Sequence, residues 1–198
     1  MDPLFEQIYN EAIMHELNER FGPFEHHHVD LDVSSEGMVD MVQKMRAKGR
    51  RGEVVMVIPD EQGQIRIHTK SFYPKKAYRL MTGGLKAGEK PEIALLREVE
   101  EETGFKPKIE RCLAVITYNL INGTEALPFV SYLFLTGPTS GQPRPTDPDE
   151  KISDFQTIPV EGLADIALEL RNLEGRMADW GIFRAISHEI ALAALDEK

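Results

Sequence analysis

The sequence predicts an α/β fold, a mixed sheet set between helices, with a helical extension ahead of it. Two observations carry this. Strand-like runs at 54–58, 65–70, 78–82, 109–118 and 129–135 are interleaved with helical segments. Helical periodicity dominates both ends, in residues 3–21 and 35–48 and again from 159 onward. The expected organisation is an extension over residues 1–51, a core domain over 52–175, and a last helix over 176–198. That helix would pack on the domain or on a second subunit, so a homodimer is one possible partner state.

In chain order, Leu4, Ile8, Ala12 and Leu17 give the first segment its helical spacing, and Phe21-Gly22-Pro23 ends it. Three adjacent histidines, His26, His27 and His28, look like metal ligands. Neighbours in sequence point different ways, so a loop or short strand is the better reading. The second helix takes Ser34 or Ser35 as its cap. It ends in a basic cluster, Lys44, Arg46, Lys48, Arg50 and Arg51, read as a solvated helix end. Val54 to Ile58 is a buried strand, and Ile65 to Lys70 is its expected hairpin partner across the Pro59–Gly63 turn. Tyr78 to Thr82 forms a third strand. Asn122-Gly123 marks a turn between the next two strands. Residues 137–149, rich in Pro, Gly and Asp, form a long loop of the kind that carries function. The aromatic residues of the last helix, Trp180 and Phe183, read as packing, and His188 as structural.

The chain carries a formal net charge of −10. Such a balance argues against a nucleic-acid backbone as partner, and an anionic substrate needs local neutralisation. One cysteine, Cys112, excludes a disulfide framework, suits a reducing cytoplasm, and reads as a buried small hydrophobe. No apolar run is long enough to cross a membrane, and the first residues lack a signal peptide's basic start and apolar core.

The densest chemistry lies in Gly83–Phe105. Pro91 suits the first helical position and Gly104 the left-handed stop. Glu98, Glu101 and Glu102 fall on one face at about 100° per residue. Ile93, Leu96 and Val99 fall on another, expected to pack on the sheet, so that the carboxylates open to solvent. Like charges at this spacing destabilise a helix. Arg97 offsets part of that charge, and a divalent cation can offset the rest. Hard carboxylate oxygens suit Mg²⁺ or Mn²⁺.

The full pattern resembles the signature of the Nudix hydrolase family: Gly83, Glu89, Arg97-Glu98-Val99, Glu101-Glu102, Gly104 and Phe105, each at the family's spacing. The resemblance spans about residues 52–175. It implies an α/β/α sandwich and a metal-dependent pyrophosphohydrolase acting on a nucleoside diphosphate derivative. ADP-ribose or a nucleotide sugar is favoured. A nucleoside triphosphate pyrophosphohydrolase and a ligand-sensing domain are the alternatives. It also implies roles. Glu98 and Glu102 are the main metal ligands, with Glu101 and the Thr82 backbone carbonyl contributing. Arg97 orients the glutamates, and Glu89 braces the loop. The general base is a signature glutamate or an acid on a distant loop, where Glu150 is the candidate. Gly83 and Gly84 form the loop that meets substrate. Arg79, with Lys75 and Lys76, is either a phosphate contact or surface charge. One departure is visible: the chain reads Met81-Thr82-Gly83 where many relatives have Pro-Gly-Gly or Pro-Ala-Gly.

Overall fold

The computed structural model describes residues 2–74 and 77–196. Two short helices come first, α1 (Pro3–Glu6) and α2 (Glu11–Phe21). The single helix expected over 3–21 is therefore broken, and Asn10 is the cause. Its side-chain oxygen accepts from the Ile13 N–H at 3.0 Å, and its amide nitrogen donates to the Glu6 carbonyl at 2.8 Å. An asparagine that captures both ends in this way starts a new helix instead of continuing the old one.

The histidine run lies in β1 (Glu25–Asp32). Then come α3 (Glu36–Ala47), β2 (Gly52–Val57), β3 (Ile65–Lys70), β4 (Met81–Gly84) and α4 (Pro91–Thr103). The chain continues through β5 (Ile109–Asn122), β6 (Glu125–Thr136) and β7 (Ile152–Ile158) to α5 (Gly162–Arg171) and α6 (Ala178–Asp196).

Five strands form a mixed sheet in the order β1-β5-β6-β2-β4. β1 runs parallel to β5 and β2 parallel to β6, while β5/β6 and β2/β4 are antiparallel. Thus residues 25–32 belong to the main sheet, although the segment before residue 52 reads mainly as helix. Alternate residues of β2 serve two cores. Val55 and Val57 join Met45, Leu163 and Phe183 under α3, α5 and α6. Val54 and Met56 join Leu17, Leu95 and Val99 under α2 and α4. The result is the helix–sheet–helix sandwich expected of the sequence. Trp180 and Phe183 are packing residues as expected. Phe183 meets Tyr118 edge-on at 5.0 Å.

The hairpin expected between the strands at 54–58 and 65–70 does not form. β2 is flanked by β6 and β4 and has no free edge. The two segments stay together only at the turn, where the Arg66 N–H reaches the Ile58 carbonyl at 2.9 Å. β3 instead pairs antiparallel with β7 in a separate two-stranded sheet. The third strand also begins later than expected. Arg79 lies before β4 and exchanges both backbone hydrogen bonds with His68, each at 3.0 Å.

Candidate active site

The loop and helix of the signature form as the sequence indicates. Gly104 sits at φ 73°, and its N–H caps the Glu100 carbonyl. The buried face of α4 differs from the expected one. Ile93 is 53% exposed and Leu96 37%. Pro91, Glu92, Ala94, Leu95, Glu98, Val99, Glu102 and Thr103 are the buried residues. Ala94, Glu98 and Glu102 stack at intervals of four, so the stripe that packs inward is the one that carries two carboxylates. These glutamates therefore do not open to solvent. Glu102 has no exposed surface and Glu98 only 7%.

Arg97 organises the upper part of the site. Its Nε and Nη2 grip the two Glu89 oxygens, each at 2.8 Å. Nη1 donates to Glu98 Oε1 at 2.7 Å and to Glu101 Oε2 at 3.0 Å, and Nη2 also reaches the Gly84 carbonyl. Glu89 closes the loop by accepting from the Lys86 N–H at 3.0 Å. The Arg97 bond, with help from this backbone bond, holds its carboxyl below the usual value against the opposing effect of burial. A Cβ on Gly83 would collide with the Glu98 side chain, so the glycine is what lets the glutamate lie against β4.

Beneath Arg97 lies the carboxylate cluster. Oxygens of Glu98, Glu102 and Glu150 all come within 4.8 Å of one another. Glu150 arrives from a short 3-10 turn (Pro148–Glu150), anchored where the Thr146 N–H bonds the Glu101 carbonyl at 2.9 Å. Glu101 turns toward Arg97 and is not one of the three. Burial pushes the Glu98 carboxyl up despite Arg97. Burial pushes Glu102 further, to about 8, despite Lys70. Burial is also the largest influence on Glu150, but Lys70, by hydrogen bond and charge, and the Glu102 hydrogen bond together outweigh it and hold that carboxyl low. One oxygen of Glu102, Oε2, is buried with no hydrogen-bond partner among the described residues. A converging set of hard oxygens with an orphaned lone pair fits a divalent cation.

Sequence reading missed two contributors from β3. Lys70 donates to Glu102 Oε1 at 2.8 Å and to Glu150 Oε2 at 2.5 Å. Burial is the largest influence and depresses the ammonium, but Glu102, Tyr73 and Glu150 together outweigh it, and the net shift is upward. His68 is fully buried, with Nδ1 3.6 Å from Glu102 Oε2, and burial holds it neutral. The available signal was alternation. Arg66, His68 and Lys70 occupy every second position of a strand whose other positions are Ile65, Ile67 and Thr69. All three polar residues are buried, which demands partners for that face.

One other candidate differs from expectation. Arg79 is 3% exposed, and its guanidinium bonds the Tyr73 hydroxyl, the Leu80 carbonyl and Thr82 Oγ1. It braces the strand that precedes the loop and has no open surface for phosphate. Lys75 and Lys76 lie outside the described residues. Thr82 pairs with Val55 on β4, directly before the glycine loop. The basic cluster after α3 divides. Lys44, Arg46 and Lys48 are exposed. Arg51 is 8% exposed and bonds Asp2 at 2.7 Å, while Arg50 is half-buried. Cys112 is fully buried, and burial pushes its thiol up to about 12, so it is inert as expected.

This geometry sits inside a sequence region with known counterparts. A NUDIX domain model matches residues 49–180 of the 198. The chain belongs to the Nudix family. Mouse ADP-sugar pyrophosphatase is 29% identical over 135 residues, covering 63% of this chain and 61% of that protein. An RNA pyrophosphohydrolase of Zymomonas mobilis is 46% identical over 44 residues, covering 22% of this chain and 26% of that protein. The chain thus spans less than two-thirds of the length of either of these relatives. A crystal structure of a UDP-X diphosphatase superimposes with a TM-score of 0.50 at 18% identity, over 80% of this chain and 70% of that one. That likeness concerns the Nudix fold. Among the described residues, no helix is long and apolar enough to cross a membrane.

Proposed function

We propose that this Nudix chain hydrolyses the diphosphate linkage of a nucleoside diphosphate derivative, with ADP-ribose and nucleotide sugars as the favoured substrates. The observation that carries the reading is the convergence of Glu98, Glu102 and Glu150 from two separate elements onto one point. The likeness to mouse ADP-sugar pyrophosphatase supports the substrate class. The net charge of −10 speaks against extending the RNA-directed activity of the shorter match to this chain.

Glu98, Glu102 and Glu150 would hold Mg²⁺, or Mn²⁺, with Glu101 and the Thr82 carbonyl as further donors. When bound, the ion neutralises diphosphate charge and makes water a better nucleophile. The remaining work belongs to the chain. Arg97 and Glu89 hold the loop and Glu98 in place, so little reorganisation is needed at the moment of reaction. Water adds to one phosphorus, the bridging P–O bond breaks, and two monophosphates result. Glu150 is the general base in this reading. Lys70 keeps it ionised and fixed, and its loop brings it in from outside the signature helix.

The test is a panel of ADP-ribose, nucleotide sugars and nucleoside triphosphates with Mg²⁺ or Mn²⁺, scored for nucleoside monophosphate and phosphate release. Turnover of the diphosphate derivatives is expected. Full activity in Glu102→Gln would overturn the assignment of the cluster. A protein that turns over nothing, yet melts higher with a nucleotide bound, would be a sensor.

A further inference from the structure

On the side of the β2–β4 edge that faces α6, positive charge is in surplus. Glu53 is 2% exposed and accepts from Arg184 at 2.7 Å and from Ser131 at 3.1 Å. Arg79 and Arg50 also lie near it, so three guanidinium groups surround one carboxylate. Arg184 has Glu53, and Arg79 has Tyr73, Leu80 and Thr82. Arg50 forms no ion pair or side-chain hydrogen bond among the described residues, and its Nε is buried without a partner. A half-buried guanidinium left this way is costly unless something external binds it.

Its position is built. Gly84 pairs with Glu53 across the β2–β4 ladder, so both face the same side. A Cβ on Gly84 would stand 2.6 Å from Arg50 Cζ. Gly84 is not a required position of the signature, and the guanidinium lying across it is a physical reason for glycine there. Arg50, Gly84 and Glu98 together line a pocket of about 450 Å³, with Lys48 and Lys86 on its rim and Leu4 closing one side.

We propose that Arg50 binds a phosphate group of the substrate in this pocket, beside Glu98, and that α1 limits what else fits there. The inference rests on the diphosphate reading above. It adds a basic subsite, outside the signature, for the part of the diphosphate that the carboxylates repel. Guanidinium is the suitable group, since its planar fork matches phosphate oxygens in pairs.

The probe is the non-hydrolysable α,β-methylene-ADP, titrated calorimetrically into the full chain in EDTA. Arg50→Gln is expected to weaken binding by about tenfold or more, with Arg50→Lys between it and the native protein. Equal affinity in a folded Arg50→Gln protein, with unchanged melting temperature and circular dichroism, overturns the proposal. Should Arg50→Gln fail to fold, Arg50→Lys and Gly84→Ala read the same quantity. The alanine methyl pushes the guanidinium off its seat, and undiminished affinity in both variants overturns the proposal. The two readings fail separately. A native protein that cleaves no diphosphate derivative with Mg²⁺ sinks the proposed function, while the methylene-ADP affinity still reports on Arg50. Turnover together with Arg50-independent binding sinks only the subsite.

Discussion

Glu53 and Glu102 are both carboxylates with almost no exposed surface, lying on opposite sides of the main sheet, and each leaves one oxygen unpartnered. Their surroundings differ. Burial alone would raise Glu53, but Arg184 and then Arg50 outweigh it and hold it below its ordinary value. Glu102 has Lys70 against it but shares its space with Glu98 and Glu150, and burial raises it to about 8. One site is a carboxylate with more than enough internal cation. The other is three carboxylates with one buried ammonium among them and only a share of Arg97, which Glu89 and Glu101 also hold. A charge that serves only the fold is matched from within, and a charge meant for a ligand is left short.

The largest effect that separates the two is in stability. Glu53→Gln strands the Arg184 guanidinium in the core and is expected to cost about 3–5 kcal/mol, read by urea denaturation. Glu102→Gln replaces a carboxyl already pushed toward its neutral form with a near-isostere. It is expected to leave stability within about 1 kcal/mol of the native protein. If the two variants lost equal stability, the division between a structural and a functional carboxylate would collapse.

Activity is expected to divide the other way. Glu102→Gln should lower kcat by about a hundredfold or more, since charge stabilisation by a bound ion is worth several kcal/mol and each 1.36 kcal/mol is tenfold. Steady-state kinetics on ADP-ribose with saturating Mg²⁺ checks this. Retained kcat would move the chemistry away from α4.

This pair also shows what a sequence can disclose. Glu98, Glu101 and Glu102 were legible because one helix carries them in a fixed register, together with the glycines that bound it. The mixed sheet between helices was legible from interleaved strands and helices, and the sandwich from the resemblance to the family. The burial of the glutamates was not. Ile93 and Leu96 look like the inward face by hydropathy, yet the stripe of Ala94, Glu98 and Glu102 packs inward. Hydropathy ranks side chains by their cost in an apolar core, and this stripe meets Lys70, Arg97 and Glu150 instead. Lys70 was hidden for a topological reason. Its strand pairs with residues 152–158, far along the chain, and local turn chemistry between 58 and 65 pointed to the wrong neighbour. Arg50 was hidden among adjacent basic residues, since nothing local separates a solvated helix end from a chain turning inward.

Lys70 sharpens the contrast at a smaller scale. Its ammonium stands between Glu102 and Glu150, where it competes with any divalent cation for the same oxygens. Lys70→Met keeps most of the stem and removes the charge. Mg²⁺ binding, measured by calorimetry without substrate, is expected to tighten by about tenfold, the equivalent of about 1.4 kcal/mol of relieved competition. Chelated protein should melt lower, because Glu102 and Glu150 then repel without the ammonium between them. Weaker Mg²⁺ binding in the variant would mean that Lys70 chiefly positions its two glutamates, and the shortage of positive charge would then be less than described.

The smallest effect belongs to the side of the molecule that holds Glu53 and Arg184. His188 donates from Nδ1 to the Arg184 carbonyl at 2.8 Å and accepts the Leu80 N–H on Nε2 at 2.8 Å, so the fold needs the neutral ring. Burial pushes its pKa down to about 3, and Arg79 and Arg184 oppose its protonation further. The sign follows from proton counting. Below about pH 6.5 the unfolded chain binds a proton that the folded chain refuses, so the contribution is whole above that value and declines as pH falls toward 3. Between pH 7 and pH 6 the loss is about 0.7 kcal/mol for this one histidine. Urea denaturation at the two pH values, for the native chain and His188→Gln, isolates it, because His68 is present in both proteins. The variant is less stable overall but should lose less on acidification, by that amount. Parallel losses would show that the ring accepts a proton inside the fold, and the core beneath β4 would then hold an adjustable charge where Glu53 and its arginines imply a settled one.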